Sequence, residues 1–149
     1  MGIGEEIKQS KFKTEYQKLG INLAFTSSWL DRLVAKELKQ YKLTPQQYNI
    51  LRILRGQHGN PATINLLTER MIDKSSNASR LVDKLLIKEL VQRRECPSDR
   101  RQVDVMITKK GLDLLAKLDI EEKEWSAVLK TLSAAEAKEL NRLLDKLRE

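Results

Sequence analysis

Ser75, Ser76, Asn77, Ser79 and Arg80 crowd hydroxyls, an amide and a guanidinium into one short stretch. Those groups read base edges and hold phosphates, and a guanidinium forks onto the two acceptors of a guanine. Lys84 lies a helical turn further on and adds a cation. A second cluster, Asp99-Arg100-Arg101, follows along the chain, with Arg94 before it. One arginine of that pair suits a minor groove, where the potential is most negative when the groove is narrow. An acid beside DNA is unfavourable, so Asp99 is expected to pair with Arg101 and stiffen the tip while Arg100 reaches outward. Other chemistries lack their parts. The single cysteine, Cys96, excludes an intramolecular disulfide and a cysteine-cluster zinc site. It reads as a packed or idle side chain rather than a sensing thiol. The single histidine, His58, sits in a Gly/Asn/Pro loop. No Gly-rich phosphate loop, nucleophile–His pair or metal triad is visible, so no enzyme, cofactor or metal is expected.

The charge agrees with these clusters. Lys plus Arg number 28 against 21 Asp plus Glu, a net +7 over 149 residues. Most of the excess lies between Arg70 and Lys110, the electrostatic footprint of a polyanion binder. The length suits one domain, or one domain with helical arms. No stretch approaches the ~20 apolar residues of a membrane span, and the charged N-terminus is no secretory signal. A cytoplasmic, mainly helical protein is expected.

The elements that must position the clusters follow from periodicity and capping. Glu5 to Tyr41 reads as one long helix, bent or interrupted at Gly20, with Ile21, Phe25 and Trp29 on a second apolar face. Thr44-Pro45-Gln46-Gln47 opens the next helix with a capping box and a proline at its first position. Thr63–Met71 and Ser75–Glu89 read as two helices joined by a tight turn, a helix-turn-helix. In the second, Ala78, Leu81, Val82 and Leu85 point inward, which turns Ser76 and Arg80 outward. Asp83 also faces out, so contact with phosphate should weaken toward the helix end. Leu90–Glu95 and Val103–Ile107 alternate as strands around a polar loop, Cys96–Gln102. Thr108 caps a helix running to about Thr131, and Ser133-Ala134-Ala135-Glu136 opens the last one. The expected architecture is mainly α. A winged helix-turn-helix with one β-hairpin wing (42–110) is flanked by long N- and C-terminal helices (1–41 and 111–149).

At these residues the sequence resembles the MarR family of bacterial transcription regulators. The match runs through Asp73-Lys74-Ser75-Ser76-Asn77-Ala78-Ser79-Arg80-Leu81-Val82-Asp83-Lys84-Leu85. It continues through Arg93-Arg94-Glu95-Cys96-Pro97-Ser98-Asp99-Arg100-Arg101 and closes with Ile107-Thr108-Lys109-Lys110-Gly111. The resemblance implies a homodimer interlocked through its terminal helices, with two winged helices facing one pseudo-palindromic site on double-stranded DNA. It also implies repression that a small aromatic or anionic effector relieves. Carried over by motif, Ser75, Ser76, Asn77, Ser79 and Arg80 are recognition-helix positions, and Asp99, Arg100 and Arg101 are wing positions. Phe25, Trp29, Tyr48 and Arg52 are the candidate effector pocket, an apolar lining with one cation. The family often has Gly where this chain has Glu89. Either the chain leaves the recognition helix by another path or it tolerates a strained residue there. A different class of function, a protein-interaction or non-specific architectural module on the same fold, would show a flat sequence preference.

Overall fold

The computed structural model describes residues 1–99 and 101–149; Arg100, one of the expected wing contacts, lies outside the described residues. The elements are α1 (Ile3–Glu6), α2 (Glu15–Leu38), a 3₁₀ turn (Lys39–Tyr41), α3 (Pro45–Arg55), β1 (Ala62–Thr63) and α4 (Ile64–Arg70). Then come α5 (Ala78–Ile87), β2 (Val91–Cys96), β3 (Asp99–Ile107), α6 (Lys109–Ile120), α7 (Glu124–Leu129) and α8 (Ala134–Lys146). The chain parts into two compact units: the helical arms, Met1–Glu37 with Glu124–Glu149, and the central Leu38–Lys123. No helix among the described residues is long and apolar enough to cross a membrane.

In the arms, the single helix expected from Glu5 is two. Lys8 turns left-handed at φ 55°, and the Gln9 N–H closes α1 onto the Gly4 carbonyl at 2.9 Å. Thr14 then opens α2: its hydroxyl accepts the Gln17 N–H at 3.1 Å, while the Gln17 side chain accepts the Lys13 N–H at 2.8 Å. α2 runs through Gly20 without a break, since one glycine costs a helix only about 1 kcal/mol. The long helix expected from Lys109 to Thr131 also divides, into α6 and α7. Ser133 caps α8 through the expected reciprocal box with Glu136.

In the central unit, Thr44 and Gln47 exchange the two bonds of the capping box, at 3.2 and 3.3 Å. Thr63 and Thr108 cap α4 and α6 by accepting the Leu66 and Gly111 N–H groups, both at 3.1 Å. The core gathers Ile50, Leu51 and Leu54 from α3, Leu67 from α4, Val82 and Leu85 from α5, and Leu115 from α6, all buried. Each such side chain contributes roughly 1.5–3 kcal/mol by leaving water.

The sheet has three antiparallel strands in the order β1-β3-β2, one more than the expected hairpin. Ala62 pairs with Val105 and Thr63 with Asp104. Two residues are too few for alternation to announce a strand. β2 pairs β3 from Val91 opposite Ile107 to Cys96 opposite Asp99, with a bulge at Glu95/Cys96. β3 begins at Asp99 rather than Val103, so the expected loop shrinks to the Pro97–Ser98 turn.

Glu89 settles which way the chain leaves α5. It is left-handed, φ 61°, so the strain is tolerated rather than avoided, at a cost of roughly 1–2 kcal/mol. Its carbonyl accepts the Thr108 hydroxyl at 2.8 Å, and the Leu90 N–H reaches back to the Leu85 carbonyl at 3.0 Å. Gly111 completes this corner. A Cβ there would stand 2.4 Å from the Leu90 carbonyl oxygen, so only glycine lets α6 start against the wing.

Candidate nucleic-acid interface

The turn before α5 is built from side chains. The Asp73 carboxylate accepts the Ser75 N–H at 3.0 Å and the Ser75 hydroxyl at 2.6 Å. The Ser75 hydroxyl, then its N–H, holds the Asp73 carboxyl below its ordinary value. The Ser76 N–H closes onto the Asp73 carbonyl at 3.2 Å, and Asn49 of α3 accepts the Ile72 N–H at 2.9 Å. This local bonding competes with helix, so α5 starts at Ala78 instead of Ser75. Ser75 and Ser76 therefore lie in the turn. Asn77 is the N-cap, its side-chain oxygen accepting the Arg80 N–H at 3.1 Å. That bond uses the acceptor of Asn77 and leaves its NH₂ donors facing outward.

With Ala78, Val82 and Leu85 buried, α5 presents Ser79, Arg80 and Lys84 exposed, beside exposed Ser75 and Asn77 and half-buried Ser76. The free N–H groups and positive end of the helix lie among these groups, an arrangement suited to anions. Asp83 does not stand unopposed as expected: the Arg93 guanidinium on β2 pairs with its carboxylate. The pair ties α5 to β2 and offsets the acid of α5.

On the wing, Arg94 is exposed and opposite Asp104. Asp99 does not pair with the Arg101 guanidinium as expected. Its carboxylate accepts the backbone N–H of Arg101 at 2.9 Å, and the exposed Arg101 guanidinium makes no ion pair among the described residues. One cleft of about 540 Å³ brings Ser79 together with Asp99 and Arg101, and adds Asn65 and Gln102. Sequence reading does not single out Asn65 or Gln102, because the β1–β3 pairing that places them has no period to detect. Arg93 was legible in principle, as the basic partner of an outward acid on the preceding helix. Cys96 is half-exposed and shares a hydrogen bond with the Ser98 hydroxyl at 3.1 Å, which draws its thiol pKa down.

The four candidate effector residues divide between the units. Tyr48 and Arg52 lie one turn apart on α3, the guanidinium 5.6 Å from the ring centroid, a cation–π contact. Half-buried Phe25 and exposed Trp29 lie on α2 in the arms.

A sequence model described as the MarR family matches residues 43–103. The chain is 30% identical over 129 residues to the HTH-type transcriptional regulator PecS of Dickeya dadantii (strain 3937), covering 84% of this chain and 76% of that one. It is 31% identical over 80 residues to the HTH-type transcriptional regulator MhqR of Bacillus subtilis (strain 168), a match spanning 54% of each chain. Among solved structures, a cysteine-to-serine mutant of MarR from E. coli, complexed with operator DNA, superposes with a TM-score of 0.77. That match has 26% identity and covers 93% of this chain and 99% of the other.

Proposed function

This chain belongs to the MarR family of transcription regulators, and on that premise we propose that it binds a pseudo-palindromic operator as a homodimer and represses transcription from it. The observation that carries the proposal is the single cleft joining Ser79 of α5 to Arg101 of the wing, beside an outward row of Ser75, Asn77, Arg80 and Lys84. A polar, cationic helix end suits the major groove, and an unpaired arginine on a hairpin suits the minor groove. Arg80 is assigned to a base edge. Ser75, Ser76, Asn77 and Ser79 are assigned to bases and phosphates at the helix start, and Lys84 and Arg94 to phosphates. Arg100 and Arg101 are assigned to the minor groove, with Asp99 holding the tip. The E. coli relative is complexed with operator DNA, which supports DNA as the partner.

Dimerisation is assigned to the arms, where Leu140, Leu143 and Leu147 line one exposed face of α8 and its end. Two recognition helices would then meet half-sites about one DNA turn, ~34 Å, apart. Release by a small aromatic or anionic effector belongs to the same reading, as does a cytoplasmic location. The test is a fluorescence-anisotropy titration with the DNA upstream of its own gene against a shuffled duplex, at two salt concentrations. The expected result is about a thousandfold preference for the natural site and a steep loss of affinity with salt. Equal affinity for both duplexes would overturn sequence-specific repression in favour of non-specific binding.

A further inference from the structure

The groups before and along α5 have their hydrogen-bond polarity fixed before any partner arrives. The Ser75 hydroxyl has one hydrogen, and it goes to the Asp73 carboxylate at 2.6 Å. An ionised carboxylate only accepts, which sets the direction of that bond. The same oxygen accepts the Ser75 N–H at 3.0 Å. These two bonds, the hydroxyl's first, hold the Asp73 carboxyl below its ordinary value, so it is ionised at neutral pH. The turn is pinned on both sides, by the Ser76 N–H on the Asp73 carbonyl and by Asn49 on the Ile72 N–H. Exposed Ser75 therefore offers a partner its lone pairs alone.

Its neighbours have the opposite polarity. The Asn77 side chain accepts the Arg80 N–H at 3.1 Å, so the atom used is its carbonyl oxygen and the outward group is its NH₂. Arg80 and Lys84 only donate, and the Ser79 hydroxyl can turn either way. Among Ser75, Asn77, Ser79, Arg80 and Lys84, Ser75 alone is limited to accepting. DNA answers these groups unequally. Phosphate oxygens, the guanine edge and the thymine carbonyl accept, which suits Asn77, Arg80 and Lys84. The donors of the major groove are the amino groups of adenine and cytosine. Against a phosphate or a carbonyl, an acceptor-only hydroxyl leaves two acceptors facing each other, both unsatisfied.

We propose that Ser75 is a specificity-determining residue that requires an adenine or cytosine amino group in each half-site, and that Asp73 is the positioning residue that imposes this by holding the hydroxyl hydrogen. The inference rests on the operator-binding reading and narrows Ser75 to one kind of base edge. It also gives a place to an acid beside a polyanion: Asp73 costs affinity on every sequence and sets the polarity of its neighbour.

The experiment is an anisotropy titration of the full-length protein on its natural operator, with single amino groups deleted. Each adenine in turn becomes purine deoxyriboside, and each cytosine becomes 2-pyrimidinone deoxyriboside. One position per half-site should cost the parent about tenfold and Ser75→Ala about twofold or less. Weakened base pairing affects both proteins alike, so their difference isolates the contact. At that position the amino group is then exchanged for a carbonyl, as inosine paired with cytosine or uracil paired with adenine. The parent should lose more than on deletion. Asp73→Asn keeps an oxygen for the hydroxyl and should behave as the parent does. Asp73→Ala lets the hydroxyl turn and donate, and should lose about twofold or less. A merely structural role for Asp73 would lower affinity evenly and leave the base preference intact. Melting temperatures report folding, and Asp73→Gly removes the same acceptor should Asp73→Ala fail to fold. The proposal falls if no amino deletion separates the parent from Ser75→Ala, or if Asp73→Ala rejects the carbonyl as the parent does. Equal affinity for natural and shuffled duplexes would remove the operator reading and this proposal with it. Specific binding without such coupling would remove this proposal alone.

Discussion

The two units bury their apolar residues very differently. In Leu38–Lys123, side chains from α3 to α6 and the sheet close a core in which Ile50, Leu51, Leu67 and Leu85 are inaccessible to solvent. In the arms, Ile3 is the only buried hydrophobic among the described residues, whereas Tyr16 is 85% and Leu147 58% exposed. Leu19, Leu129, Leu132, Leu140 and Leu143 are exposed as well. A single chain thus completes one hydrophobic core and leaves the other unfinished. Contiguous exposed apolar faces on helices mark association surfaces. On the proposed reading the central unit carries the groups that meet DNA, and the arms fix how two such units are presented.

The contrast can be broken most severely in the arms. Leu140→Glu with Leu143→Glu should abolish the dimer in sedimentation equilibrium and lower operator affinity on the order of a thousandfold, since the second half-site is lost. A variant that stays dimeric with full affinity would place the interface elsewhere. In the central unit, Leu54→Ala should cost about 2–5 kcal/mol in chemical denaturation, because it empties a closed core. Arg80→Ala should cost about 1–3 kcal/mol on the cognate operator and relax its specificity. Arg101→Ala should instead weaken binding evenly across sequences and reduce the salt slope. If the two show the same sequence dependence, the division between helix and wing is wrong. Glu89→Gly should raise stability by about 1 kcal/mol by releasing the left-handed strain.

The smallest effect concerns Asp73. Its carboxyl is held below the ordinary value in the folded chain, so it contributes stability above its unfolded pKa. That contribution is lost as pH falls through the lower, folded value. The melting-temperature gap between the parent and Asp73→Ala should therefore narrow as the pH drops from about 5 toward about 3. A gap that widens on acidification would show that Asp73 acts through something other than its charged turn.

What the sequence announced was local chemistry. Thr44, Thr108 and Ser133 all cap helices as read, because a cap is made by residues within one turn of each other. The outward Arg80 and Lys84 of α5 were legible for the same reason. The break before α2 was legible too: Thr14 and Gln17 have capping-box spacing, but an unbroken run of helix-forming residues masked them. The end of α6 had no Gly or Pro to mark it. There the chain turns so that Lys123 packs over the Tyr41 ring, 5.5 Å from its centroid, a partner distant in sequence. β1 and the full length of β3 were hidden because strand pairing is non-local. The Arg93–Asp83 pair was missed because it joins a helix to the strand that follows it.

The Thr108 hydroxyl both accepts the Gly111 N–H and donates to the Glu89 carbonyl, while the Thr108 N–H bonds the Leu90 carbonyl at 3.0 Å. One residue thus closes the wing into a loop at its base and starts the next helix. Such a latch governs the time course of opening. Amide protons along β2 and β3 should exchange together, at one rate set by the release of Thr108, rather than fraying inward from the Pro97–Ser98 turn.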